Sequence, residues 1–186
     1  ICSYSQDTAG VTPLPEEDPR NFPYQNATKL VDLGGRHWVK RRTYNVTTTW
    51  GEPTCEYAQI HGKVKKSEYI LEMGAYLGSM WTSRNQTLLL EATGLRPAPN
   101  VLNFTRLSAD GRLGHPLLYS DYGNCSIVRI MKKGSGVYRC DLLLLNEAAR
   151  HDPPTECEKR FKTYCTGTRV VEVYSSSCET SVAKSM

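Results

Sequence analysis

The sequence has no run approaching the ~18 apolar residues that a membrane-spanning helix requires, and no low-complexity block. It is also poor in the residues that mark catalysis. Only four histidines are present, His37, His61, His115 and His151, and they are scattered without metal-ligand spacing. There is no nucleophile elbow, no glycine-rich phosphate loop and no paired-histidine metalloprotease helix. No enzymatic activity, cofactor or metal is therefore expected. The net charge of +4 is distributed in short groups, Lys40-Arg41-Arg42 and Lys63-Val64-Lys65-Lys66. These lie in strand-like patterns or at their turns, where a solvated outer face accounts for them. They lack the clustered base-stacking aromatics of a nucleic-acid groove. Neither a membrane nor a nucleic acid is an expected partner.

What the chain does have is cysteine. Five of its seven cysteines fall between Cys125 and Cys178, on regular elements, which is the pattern of a stapled scaffold. At 186 residues one domain can build a real core, so bridges supplement packing. The first residue is Ile1, and Ser3 and Ser5 stand at the small-residue positions of a signal-peptidase site. Residues 1–5 read as the tail of a secretory signal. Removing Cys2 with that tail leaves an even set: Cys55, Cys125, Cys140, Cys157, Cys165 and Cys178. Five acceptor triplets for N-glycans, at Asn26, Asn45, Asn85, Asn103 and Asn124, point to the same compartment. A secreted, extracellular glycoprotein is expected.

Residues 6–24 carry a proline-rich, acidic stretch and read as a flexible lead-in. Gln25 to Leu33 fits a short helix ended by Gly34-Gly35. From Arg36 the period becomes two, with Trp38, Lys40, Arg42, Tyr44 and Val46 on one face of a strand and Val39, Arg41 and Thr43 on the other. In Thr54 to Lys65, Cys55, Tyr57, Gln59 and His61 alternate with Glu56, Ala58, Ile60 and Gly62. Further strands are expected over Ser67–Trp81, Asn85–Thr93, Asn100–Leu107, Leu117–Tyr122, Cys125–Met131 and Val137–Leu145. Asp110-Gly111 and Gly134-Ser135-Gly136 serve as turns. A helix, Pro154–Tyr164, and a strand, Thr168–Tyr174, follow. Eight consecutive strands on short turns, with helices only near the ends, describe an all-β antiparallel up-and-down barrel able to hold one small ligand. A sandwich is the structural alternative, but the cysteines do not flank a mid-chain tryptophan. The barrel domain spans residues 25–178, with a tail at 179–186.

Two stretches carry a resemblance. Val39-Lys40, Thr43-Tyr44, Trp50-Gly51 and Thr54-Cys55 stand near the front. Tyr119-Ser120-Asp121, Cys125, Asp141-Leu142, Cys157, Tyr164 and Cys178 stand near the back. In these the chain resembles the tick salivary lipocalins, the group of the tick histamine-binding proteins, over roughly residues 25 to 178. The resemblance implies a monomeric lipocalin barrel with bridges Cys55–Cys178 and Cys125–Cys157, the extra pair being Cys140 and Cys165. Six cysteines on their own permit fifteen pairings.

The resemblance also implies a salivary protein that sequesters host mediators such as histamine or another biogenic amine. A buried ammonium needs carboxylates beside it and aromatic faces around it. The family's amine binders place an acid after the cysteine of the seventh strand and a Glu-Leu-aromatic triplet in the eighth. Here Ser126 follows Cys125, and Asp141-Leu142-Leu143 replaces the triplet. An amine site would centre on Asp141, with Leu143 beside it where the family has its aromatic and with Tyr44, Trp50 and Glu91 as walls and second acid. A lipid mediator (leukotriene, thromboxane or sterol) is the alternative cargo. It would draw on Leu88, Leu90, Leu102, Phe104, Ile127, Leu142 and Leu144, with Arg42, Arg106 and Arg129 as candidate anion partners. A third reading has the Pro-rich lead-in and the loop Thr93–Asn100 contact a host immune protein.

Overall fold

A computed structural model describes residues 12–107, 111–130, 138–165 and 169–180. The expected signal remnant at 1–5, the start of the lead-in, Asp110, the Gly134–Gly136 turn and the end of the tail lie outside the described residues. The elements are α1 (Ala27–Val31), β1 (Arg36–Arg42), β2 (Thr54–Lys65), β3 (Glu68–Leu77), β4 (Met80–Glu91), β5 (Val101–Thr105), β6 (Arg112–Ser120), β7 (Cys125–Ile130), β8 (Arg139–Leu145), α2 (Thr155–Tyr164) and β9 (Val171–Glu172). Each of β2 to β8 pairs antiparallel with its neighbour in sequence, and β1 closes the barrel by pairing with both β8 and β2. The eight-stranded antiparallel barrel is as expected.

Alternation on the strands builds two cores. The inner one joins Tyr69, Leu71 and Met73 of β3, Leu88 and Leu90 of β4, Leu102 and Phe104 of β5, Leu117 and Val128, with Leu30 and Val31 of α1 plugging one end. The outer one packs Ile127, Leu142 and Leu144 against Phe161 and the cysteines of α2. β7 and β8 therefore read as near-continuous apolar runs because both of their faces are covered. Ile127, Leu142 and Leu144, read from sequence as cargo-facing, belong to this outer core.

In α2, Cys157, Phe161 and Cys165 recur every four residues and so share one face. The bridges are Cys125–Cys157, Cys140–Cys165 and Cys55–Cys178, the pairing implied by the resemblance. Glu156 and Glu158 in the first turn and Lys162 in the last complement the helix dipole. The strand expected over Thr168–Tyr174 is shorter: β9 pairs only with Arg41 and Arg42. It enters where β1 and β2 part, since Val173 N–H donates to Lys40 O and Cys55 N–H to Val173 O, both at 3.0 Å.

Three other sequence expectations change. The register between β1 and β8 shifts between Val39 and Arg41. This bulge leaves both Lys40 and Arg41 outside, where Lys40 Nζ donates to Ala149 O and Arg41 pairs with Glu158 and Glu172. Arg42 is thereby turned inward, off the face it was expected to share with Trp38 and Lys40. The third strand stops at Leu77, because Gly78 takes φ +65 in a tight turn and β4 starts at Met80. The lead-in is not a free segment from residue 12 onward. Pro15–Glu17 and Pro19–Tyr24 form 3-10 turns, and Glu16 is buried in an ion pair with Arg129 of β7. Arg96 of the 93–100 loop donates to Glu16 O and Gln25 Oε1 at 2.8 and 2.7 Å. The two segments expected to offer partner surfaces are thus tied to each other.

Candidate functional site in the barrel interior

The interior is layered, and the layers follow from period-two spacing. Ala58 of β2, Phe104 of β5 and Leu143 of β8 line an apolar cavity of about 60 Å³, with Leu30, Val31 and His37 at the α1 end. Two positions along each of those strands, on the side away from α1, stand Glu56, Arg106 and Asp141. The bulge of β1 adds Arg42 to the same layer. An apolar floor and a charged layer are thus stacked inside one barrel.

The charged layer is nearly dry: Arg42 is 0 % exposed, Asp141 2 %, Glu56 4 % and Arg106 5 %. Arg42 Nη2 donates to Glu56 Oε2 at 2.7 Å. Arg106 Nη2 donates to Asp141 Oδ2 at 2.7 Å and also reaches Tyr44 Oη, with Glu56 Oε1 3.6 Å away. Tyr44 O–H donates to Asp141 Oδ1 at 2.6 Å. The Tyr44 ring lies 5.6 Å from the Arg42 guanidinium carbon and 5.5 Å from that of Arg106. Two guanidinium groups face two carboxylates, so the layer is neutral as a set. That is the condition under which buried charge is tolerated.

Burial, and then the charge of Asp141, push the Tyr44 phenol well above its ordinary value, so it remains a donor. Burial disfavours the charged form of Arg106, but Asp141, Tyr44 and Glu56 outweigh it and raise its pKa. His115, fully buried, stacks on Phe104 with centroids 4.0 Å apart. Burial and then the neighbouring Arg106 lower its pKa to about 4. Its Nδ1 lies 3.0 Å from Leu102 O; a carbonyl only accepts, so Nδ1 carries the proton and Nε2 is an acceptor. His37, beside the cavity, is likewise lowered to about 4 by burial. Among the described residues, three buried polar atoms of this interior have no hydrogen-bond partner: Arg42 Nε and Nη1, and His115 Nε2. The layer therefore still presents two donors and one acceptor.

Of the residues singled out in the sequence, Tyr44, Asp141 and Arg42 come together here, and Leu143 and Phe104 line the adjoining cavity. Leu88 and Leu102 share that lining. Trp50 is 75 % exposed on the β1–β2 loop, and Glu91 is exposed at the far end of β4, bonded to Asn103. Neither reaches the interior. Arg129 faces outward to Glu16. Ser126 bonds Ser120 at 2.9 Å. The second inward acid is Glu56, which sequence reasoning passed over although it shares a strand face with Ala58 and Ile60. An acid on an otherwise apolar face was the available signal. His115 left none, since the strand expected from Leu117 starts in fact at Arg112 and takes in His115.

No group of three or more His, Cys, Asp or Glu among the described residues is arranged to hold a metal ion. No described helix is long and apolar enough to cross a membrane. Asn45, Asn85 and Asn124 are exposed, whereas Asn26 caps α1 and Asn103 bonds Glu91.

Comparison with known proteins agrees with this architecture. A serotonin complex of AM182 superposes with a TM-score of 0.62 at 17% identity, covering 82% of this chain and 91% of that one. Apocrustacyanin C2 gives 0.61 at 16% identity, covering 90% and 91%. Japanin from Rhipicephalus appendiculatus, bound to cholesterol, gives 0.52 at 11% identity, covering 75% and 91%. At these identities the likeness establishes the lipocalin fold. No curated protein sequence matches the chain. The sequence model of the tick histamine binding protein matches residues 15–180, a span that includes every strand of the barrel and both α1 and α2, and the chain belongs to that family.

Proposed function

We propose that this lipocalin sequesters a lipid mediator, an apolar molecule carrying a carboxylate or hydroxyl oxygen, with its oxygen on Arg42 and its chain toward the apolar floor. The observation that carries the reading is the pair of unpartnered donors, Nε and Nη1, on a fully buried Arg42 whose remaining nitrogen is held by Glu56. The free Nε and Nη1 hydrogens point to different sides of the guanidinium, so each offers a single charge-assisted bond to a ligand oxygen. His115 Nε2 adds an acceptor suited to a ligand hydroxyl. The cavity of about 60 Å³ is smaller than the ~150 Å³ that admits a benzene ring in a protein core. Binding of a long chain therefore involves repacking of Phe104, Leu71 and Leu88. Secretion belongs to the same proposal, since three disulfides persist in oxidising compartments and three glycan acceptor sites are exposed. Release into tick saliva against host mediators is the role that family membership supports.

The test is calorimetry and native mass spectrometry with oleate, oleyl alcohol, cholesterol, histamine and serotonin. Arg42→Lys keeps the charge opposite Glu56 and removes the planar guanidinium that aims the free donors. It should weaken oleate binding by about 10- to 100-fold, the worth of one charge-assisted hydrogen bond. Unchanged oleate affinity in that variant, or no binding of any oxygenated lipid to the native protein, refutes the reading. A second reading, biogenic amine, is favoured by Asp141, Glu56 and the Tyr44 ring in one layer. It requires Arg106 to leave Asp141, and tight histamine or serotonin binding by the native protein would establish it.

A further inference from the structure

We infer that Arg106 is a specificity-determining residue: a tethered cation seated where a ligand ammonium would sit, which excludes amines from a barrel otherwise furnished to hold one. The inference rests on the lipid-mediator reading above and adds the reason that amines are rejected.

A buried ammonium needs a carboxylate within hydrogen-bond reach and an aromatic face. Asp141 and Tyr44 supply both, and Arg106 uses both. Its Nη2 donates to Asp141 Oδ2 at 2.7 Å, and its guanidinium carbon stands 5.5 Å from the centre of the Tyr44 ring. The other Asp141 oxygen is taken by the Tyr44 hydroxyl at 2.6 Å. Neither oxygen of the carboxylate is left for a second cation as its main partner.

Charge balance leads to the same result. Arg42 and Arg106 offset Glu56 and Asp141 within a layer that is at most 5 % exposed. An added ammonium would be buried beside an Asp141 whose two oxygens are already taken. An added oxygen ligand instead meets the unpartnered Nε and Nη1 of Arg42, so the unbalanced charge is uncompensated only for the amine. Arg106 also competes as part of the same chain. A tethered group acts at an effective concentration in the millimolar range or above, whereas a free amine must displace it from dilute solution. Removing the guanidinium reverses the balance: the layer then carries one unpaired negative charge, and a monocation of modest size restores neutrality. The vacated position is contiguous with the apolar layer through Phe104, two residues earlier on the same strand, where an aromatic amine could lay its ring.

The experiment is a gain of function. Native protein, Arg106→Gln, Arg106→Lys and the double variant Arg106→Gln/Asp141→Asn are titrated with histamine and serotonin by calorimetry. Arg106→Gln is expected to bind at least one amine 100-fold or more tighter than the native protein. Arg106→Lys, which keeps the cation, and the double variant, which removes the carboxylate, should bind no better than native. A folded Arg106→Gln with no gain for either amine overturns the inference. So does a gain that survives Asp141→Asn.

Oleate titration of the same proteins separates this outcome from failure of the lipid reading, which concerns the native protein alone. If Arg106→Gln does not fold by itself, folding in millimolar histamine or ethylguanidinium, but not in a neutral alcohol, is the expected result. A variant that none of these restores shows that position 106 is not a replaceable cation seat, and overturns the inference as well.

Discussion

Glu56→Gln is the most direct probe of the charged layer. The substitution preserves shape and removes one negative charge from between two guanidinium groups, one bonded at 2.7 Å and the other 3.6 Å away. Arg42 has no exposed surface, so water cannot replace the lost carboxylate without opening the barrel. Deleting one partner of a buried pair costs about 3–5 kcal/mol, and for a domain of this size that lowers the melting temperature by roughly 6–20 °C. Replacing both partners should behave differently. In Arg42→Met/Glu56→Leu the desolvation cost disappears with the charges, Arg106–Asp141 remains a balanced pair, and stability should return to within about 1–2 kcal/mol of native. The cycle of native, two singles and double, measured by urea denaturation, should give a coupling energy of about 3 kcal/mol or more. A cost under about 1 kcal/mol for Glu56→Gln would mean that the layer is hydrated, and the argument from neutrality would fall with it.

Acid should weaken the fold through the two buried histidines. Unfolded histidine takes its proton near pH 6.5, whereas His37 and His115 in the barrel wait until about 4. The unfolded chain thus binds more protons between those values, and stability falls as pH drops from about 6.5 to 4, by about 3 kcal/mol per histidine. Urea midpoints across that range for native and His115→Gln should converge at low pH, and parallel curves would refute the assignment. Among the bridges, the Cys55–Cys178 pair closes a separation of 123 residues and Cys140–Cys165 only 25. Replacing the first pair by alanines should cost about 4–5 kcal/mol, roughly 1 kcal/mol more than replacing the second. An equal or reversed order in chemical denaturation would show that strain or residual unfolded structure governs instead.

The barrel was legible in the sequence because it rests on period-two alternation between turn residues, which local chemistry enforces. β2 shows this best: Glu56, Ala58 and Ile60 fall on one face, as the spacing requires. β1 shows where that logic stops. Nothing in Val39-Lys40-Arg41-Arg42 announces a bulge, since all three basic residues tolerate a strand, and which one turns inward is decided by Glu56 on another strand. The leucines of β8 were ambiguous for a related reason. With the barrel on one side and α2 on the other, apolar character no longer reports which face is inner. Trp50 and Glu91 were assigned by residue type, and type does not fix depth. Asp141 was found from its place in a motif, but its neutralisation by Arg106 joins residues 35 apart in the chain, a pairing only the closed barrel creates.

β9 occupies the gap where β1 and β2 separate, held by backbone bonds to both strands and by Cys178. The first two strands of the barrel are thus completed by a segment made well after both of them. No nascent chain can finish its barrel while residues 171–178 are still inside the exit tunnel, so closure waits for that segment to emerge, at the slow rates of long-range pairing. Until then the inward arginines and carboxylates stand exposed beside unpaired strand edges. A truncation that spares every interior residue but removes the segment from residue 169 onward would leave a barrel with an open seam and Cys55 without its bridge.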